Sequence, residues 1–439
     1  MELFHHARTC TLADLETALS PTDFWYRYAL PLAHTIGAVK YAICALGAAH
    51  REFKFQRLRE HPALHSIRRT AVRLYNKAIQ CVQCVMDMTA DQDIETILTC
   101  CVIFISIESL HGRYADSLRH LRAGTALLIS RIDGQDELGY FGIADGAEPK
   151  ATVNETSQFL EHIAQTLCRL GNDTWGYVRE RFAPDLNFRT SPTGLSFPDT
   201  TFASVSEAEE AFHNVAKLFE ADRTVSLREI VAQVPDHSSE GRREIPFMPS
   251  QIPDPYHLIP FEELKRIFNV WSQCFDIFKL QLDEATTSSQ DILRTRALAV
   301  DQALWSGWLK CEVWADYRQE DYEEILRRAE SLVGSDAFQS DPVFAFDGSL
   351  ILCLAIPCVS SMDYDTQWRT VRLLRSFWRR EGIWDSQELA DILEAMMIAT
   401  SQGKVTKDML PWDVPHLARL MDSLKLHEVN IPESPLSLA

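Results

Sequence analysis

Apolar residues in the first third of the chain recur at steps of three, four and seven, the spacing of one helix face. In HTIGAVKYAICALGAAHREF, Ile36, Val39, Ile43 and Leu46 share such a face, with small Ala and Gly residues where a neighbour could approach closely. PALHSIRRTAVRLYNKAIQCVQCVM places Pro62 at a first turn and Ile67, Ala71, Leu74, Ala78 and Val85 on one side. A helix opening near Asp91 runs through IETILTCCVIFISIESL. Its successor, YADSLRHLRAGTALLI, spaces Tyr114, Leu118, Leu121 and Leu128 helically, and His111-Gly112 supplies the break between the two. The expected units are antiparallel helical hairpins.

Three stretches read as loops: DGQDELGYFGIADGAEPK, APDLNFRTSPTGLSFPDTTF and the six-proline VPDHSSEGRREIPFMPSQIPDPYHLIP. Helices resume at FEELKRIFNVWSQCFDIFKLQL and DILRTRALAVDQALWSGWLKCEVWADY. Near the end, Trp368, Val371, Leu374 and Trp378 mark an amphipathic helix, with Arg379 and Arg380 in its last turn facing the carbonyl end. Gly382 fits a left-handed helix cap, and Asp385 with Glu388 a reciprocal N-cap. Leu389, Ile392, Leu393, Met396 and Met397 continue as the next apolar face. Nothing demands strands and no fixed-period repeat is visible. The expected fold is all-α, an irregular bundle or solenoid of antiparallel helical pairs with long loops. It divides into an N-terminal lobe over about 1–183, a loop at 184–204 and a C-terminal lobe over about 205–428, with a Pro-rich loop at 235–260.

At 439 residues and 46% apolar content, the chain can bury a sizeable core. The net charge of −19 disfavours contact with phosphate backbones, and no basic arm or stripe stands out to offset it. MELFHHARTCTLADLETAL has no apolar run and is not a secretory signal. The longest apolar run, LILCLAIPCV, falls short of the roughly 18–20 residues a bilayer span needs. These features predict a soluble, intracellular chain whose eleven cysteines are reduced thiols.

Candidate chemistry is sparse. Cys81 and Cys84, with Cys100 and Cys101 on the next helix, are the most metal-like group, but adjacent cysteines point about 100° apart around a helix. His61 and His65 lack a third ligand, and His5-His6 has no partner to name. Asn269, Ser272 and Asp276 have the spacing of a magnesium motif without its aspartate-rich companion, and QEDYEE (Gln319 to Glu324) reads as a solvated helix start. Trp305, Trp308, Trp314 and Tyr317 are a tempting stacking wall but sit at core spacing. No GxGxxG after a strand, P-loop, GxSxG elbow or kinase set is present.

RTVRLLRSFWRREGIWDSQELADIL resembles the C-terminal signature of the fungal-specific transcription factor domain family. IGAVKYAICALGAAHREF is similar to its "ALGA-H" helix, RLYNKAIQCV to its "YN-AI" helix, SLRHLRAGTALL to its "LRHL-AG" element, and FPDTTFASVSEAEEAFHNV to an "F-S--EA" stretch. The resemblance spans nearly the whole chain. It implies one all-α regulatory domain over 1–439, nuclear or shared with the cytoplasm, which normally follows a six-cysteine zinc cluster that reads DNA. Here Met1 lies where the regulatory domain begins, and the cysteines at 10, 44, 81, 84, 100, 101, 168, 274, 311, 353 and 358 are not spaced as a zinc cluster. The expectation is therefore a transcriptional regulator rather than an enzyme, with no cofactor and no catalytic, metal or DNA-binding residues of its own. Its partners would be other transcription factors, co-regulators or a small-molecule effector, with no membrane or direct nucleic-acid contact. Homodimerisation suits the family type, although no a/d heptad seam supports a coiled coil. The alternatives are an enzyme or ligand-binding protein derived from this domain, or a fragment of a longer zinc-cluster factor.

Overall fold

The computed structural model describes residues 2–15, 24–55, 64–87, 94–136, 261–310, 318–335, 341–345, 350–361 and 363–402, with most of 158–170 and 197–218 and the single residues Phe338 and Gly348. All further structural statements concern these residues. His61, Pro62, Asp91, Cys168, Cys311, Trp314, Tyr317 and the Pro-rich loop 235–260 lie outside them.

The chain is all-α apart from one small sheet. It opens with α1 (Glu2–His6), a π-helical turn (Ala7–Thr11) and α2 (Leu12–Leu15), and a second π turn (Trp25–Ala29) leads into α3 (Leu30–Thr35). Four long helices follow: α4 (Gly37–Phe55), α5 (Leu64–Asp87), α6 (Ile94–Leu110) and α7 (Tyr114–Asp136). Val39, Ile43, Leu46, Ala71, Ala78, Leu118, Leu121 and Leu128 are buried, as their spacing predicts. Gly112 adopts φ 68°, the left-handed turn that separates α6 from α7. Ile36 departs from the expectation. It is extended rather than helical, and the chain bends there by 119°. The side chain still packs against the core, so apolar spacing alone could not reveal the break.

α6 is apolar nearly all round and forms the centre of the N-terminal core, with α4 and α7 packed on it. Gly47 on α4 lets α1 lie flush: a Cβ there would sit 2.7 Å from the Leu3 carbonyl oxygen.

Farther along are α8 (Phe261–Gln281), α9 (Ser289–Trp308), α10 (Gln319–Val333), α11 (Leu350–Ser360), α12 (Tyr364–Arg375) and α13 (Ser386–Ser401). A second core joins α9 to α13, and a third packs residues 202–218 against α8 and α9. No single described helix is long and apolar enough to cross a membrane.

The three-stranded sheet corrects the reading of Arg379 and Arg380. The helix before them ends at Arg375, and they begin β2 (Arg379–Glu381). β2 runs parallel to β1 (Val343–Ala345) and antiparallel to β3 (Trp384–Asp385). Gly382, at φ 54°, turns β2 into β3 and is not a helix cap. Asp385 is an N-cap as expected, accepting from the amides of Gln387 and Glu388 at 3.0 Å each. Glu388 makes no reciprocal cap; its Oε2 accepts from Tyr114 Oη instead.

Candidate functional site

The C-terminal end of α4 reads His50-Arg51-Glu52-Phe53-Lys54, and each of these side chains meets other parts of the chain. His50 is fully buried on the core-facing side of α4, in line with Val39, Ile43 and Leu46. Its Nε2 lies 2.9 Å from Asp14 Oδ2 on α2, and its Nδ1 lies 3.3 Å from His6 Nε2 on α1. Lys54, one turn on, reaches the same Asp14 oxygen at 2.6 Å, and Arg51 pairs with Glu2 at 2.7 Å. Glu52 turns the other way, 3.7 Å from Arg68 on α5 and 3.6 Å from His111 in the α6–α7 turn. Phe53 stacks edge-on against Phe344 of β1, with the Arg380 guanidinium 5.5 Å over its ring.

Charge states follow from burial. Burial drives the His50 imidazole below its ordinary pKa despite the neighbouring Asp14 carboxylate. Burial, then the His50 and Arg51 charges, lowers His6 to about 4. Burial pushes Asp14 up, but hydrogen bonds from His50 and Lys54 outweigh it and hold the carboxyl below its usual range. At neutral pH both imidazoles are uncharged. His50 then donates its Nε2–H to Asp14 Oδ2, which leaves Nδ1 to accept from the Nε2–H of His6. This is a buried His–His–carboxylate chain closed by a lysine. With His50 sealed from solvent, it couples α1 and α2 to α4.

A second junction lies beside it. Arg380 donates from Nη1 to the carbonyl oxygens of Ser109 (3.0 Å) and Leu110 (2.8 Å), the last residues of α6, and pairs with Asp385 at 2.9 Å. Tyr114 Oη donates to Glu388 Oε2 at 2.8 Å. Arg379 pairs with the buried Glu381 at 2.6 Å, while the other Glu381 oxygen accepts from the Ile351 amide at the start of α11. The REG-W-D stretch therefore locks the small sheet onto both the α6–α7 hairpin and the C-terminal helices.

The remaining candidates occupy structural places. Cys101 faces Gly124 on α7, whereas Cys100 is buried in the core with Cys81 nearby. Burial raises both the Cys100 and Cys101 thiols, the latter to about 12. Cys84 and His65 are exposed. Among the described residues no three His, Cys, Asp or Glu side chains converge as a metal ion would require. Ser272 and Asp276 accept from Gln302 at 2.6 and 3.0 Å, and Lys279 pairs with Asp276 at 2.8 Å. Trp305 stacks on Phe268 and meets Phe212 edge-on inside the third core, and Trp308 packs against that core. QEDYEE opens α10, where Asp321 accepts from the Arg318 amide. The sequence names no partner for His6; the structure supplies His50, whose own signal is a lone histidine on the buried face of α4.

The family model for the fungal specific transcription factor domain matches residues 3–222, and the chain belongs to that family. It is a family of transcription regulatory domains, and a transcription-regulatory role follows. The match takes in α1 to α7 and the His50 junction, while the REG-W-D stretch lies beyond it. No curated protein and no solved structure matches the chain.

Proposed function

We propose that the chain regulates transcription in the nucleus as a helical regulatory body that acts through protein partners or a small effector, not by reading DNA itself. Family membership carries this reading. The charge balance supports the indirect mode: a net charge of −19 repels a phosphate polyanion, and the cysteines within the 439 residues lack zinc-cluster spacing. The polar junctions suit such a role, because control through a partner needs a body with two states of different affinity. His6–His50–Asp14 and Arg380–Leu110 are contacts whose making or breaking would shift whole helices. The test is a DNA mobility-shift assay with the purified chain across a salt series. The expected result is weak binding without sequence preference. Tight, salt-sensitive, sequence-specific binding would refute the proposal.

A further inference from the structure

We infer that the solvent face of α5 is a docking surface for an acidic peptide segment of a partner protein, one whose carboxylates alternate with apolar side chains. Arg69, Arg73 and Lys77 are exposed and fall at i, i+4 and i+8, a stripe of about 12 Å along the helix. The sequence shows no basic stripe at a glance because these cations are interleaved with core residues Ala71, Tyr75 and Ala78. Folding sorts them onto one face. Across α5 the sole acidic residue is Asp87, at its final position.

Most arginines elsewhere in the described structure are matched by carboxylates: Arg294 by Glu209, Arg369 by Glu323 and Glu330, Arg375 by Glu394, Arg380 by Asp385. Even Arg68, on the flank of α5, faces Glu52. Arg69, Arg73 and Lys77 make no ion pair or side-chain hydrogen bond with any described residue. Like charges four apart weaken a helix. A chain with 62 acidic and 43 basic residues had acids enough to neutralise them, so the concentration is specific to this face.

Apolar surface accompanies the charge. Val72, one turn from Arg69 and next to Arg73, is 45% exposed. An arginine fork holds a carboxylate with paired hydrogen bonds, and Val72 offers a footing for an apolar side chain between two of them. The acidic chain as a whole repels an extended polyanion. A short acidic segment meets the stripe within the Debye length of about 8 Å at physiological salt, which favours a peptide over nucleic acid. The proposal rests on the partner-borne regulation argued above for its cellular meaning and extends it by naming a face and a partner chemistry.

The test is fluorescence anisotropy on the full chain with three labelled probes: a Glu/Asp–Leu/Phe peptide, its Gln/Asn counterpart and a short duplex DNA. The expected result is salt-sensitive binding of the acidic peptide, none of the amide peptide, and weaker binding of the duplex. Combined Arg69→Glu, Arg73→Glu and Lys77→Glu should reduce peptide affinity at least about tenfold. Arg372→Glu, at an exposed cation on α12, should leave it unchanged. Circular dichroism and thermal midpoints confirm that each variant is folded. The inference is overturned if the wild-type chain ignores the acidic peptide, if the triple variant binds it equally well, or if the duplex binds more tightly through the same three residues. Lost peptide binding with intact promoter occupancy in cells would remove this surface alone, and the reverse would remove the regulatory reading alone.

Discussion

Arg380 and Leu110 are 270 positions apart in sequence, yet the guanidinium of one donates to the carbonyl of the other at 2.8 Å. The bond closes the carboxyl end of α6, where backbone acceptors have no intrahelical partner. Because Arg380 also pairs with Asp385, one side chain ties the central helix of the N-terminal core to the sheet and, through the Asp385 cap, to α13.

Arg380→Ala should therefore destabilise the fold by about 3–5 kcal/mol, since it removes the ion pair with Asp385 and leaves two buried helix-end carbonyls without their donor. Arg380→Lys should recover only part of this, because an ammonium cannot reproduce the fork. Urea unfolding of the purified variants measures both.

Tyr114→Phe removes the bond to Glu388 and little volume. The expected cost is about 1 kcal/mol. A double-mutant cycle with Glu388→Gln should show a coupling between the two, while Arg51→Gln, which loses an exposed pair with Glu2, should change stability by well under that amount.

Stability should fall as pH drops from about 6.5 to about 4. His6 has its folded pKa lowered to about 4 and so binds fewer protons when folded than when unfolded within that window. His50 is shifted in the same direction and adds to the slope. Screening at the part-exposed His6 ring keeps its own contribution to the order of 1–2 kcal/mol. His6→Gln should flatten the dependence, as read by thermal unfolding across the pH series.

Gly47→Ala should lift α1 from α4, since the new Cβ would meet the Leu3 carbonyl oxygen at 2.7 Å and Ala7 Cβ at 3.0 Å. The expected cost is about 1–3 kcal/mol. Hydrogen exchange should speed up over residues 2–15 more than in α6.

The helical part of this fold was legible because burial leaves a period in the sequence: Val39, Ile43 and Leu46, or Leu118, Leu121 and Leu128, show their face directly. Local chemistry was equally readable at Gly112 and Asp385, where a left-handed turn and an N-cap need particular residue types. Hidden features depend on distant partners. Arg379 and Arg380 pass for a helix end until Val343–Ala345 comes alongside as a parallel strand, and three-residue strands carry too little pattern to declare themselves. His50 is a lone polar residue on an apolar face until His6 and Asp14 arrive from other elements. The basic stripe of α5 was within reach of the sequence: three cations at a spacing of four, with an acid only at the helix end.

Chromatin occupancy of the tagged, full-length protein in its own cells tests the central claim most directly. The expected result is focused enrichment at promoters that persists when the purified chain shows no specific DNA affinity, marking a regulator brought there by a partner. Absence of enrichment, with the protein confined to the cytoplasm, would contradict it.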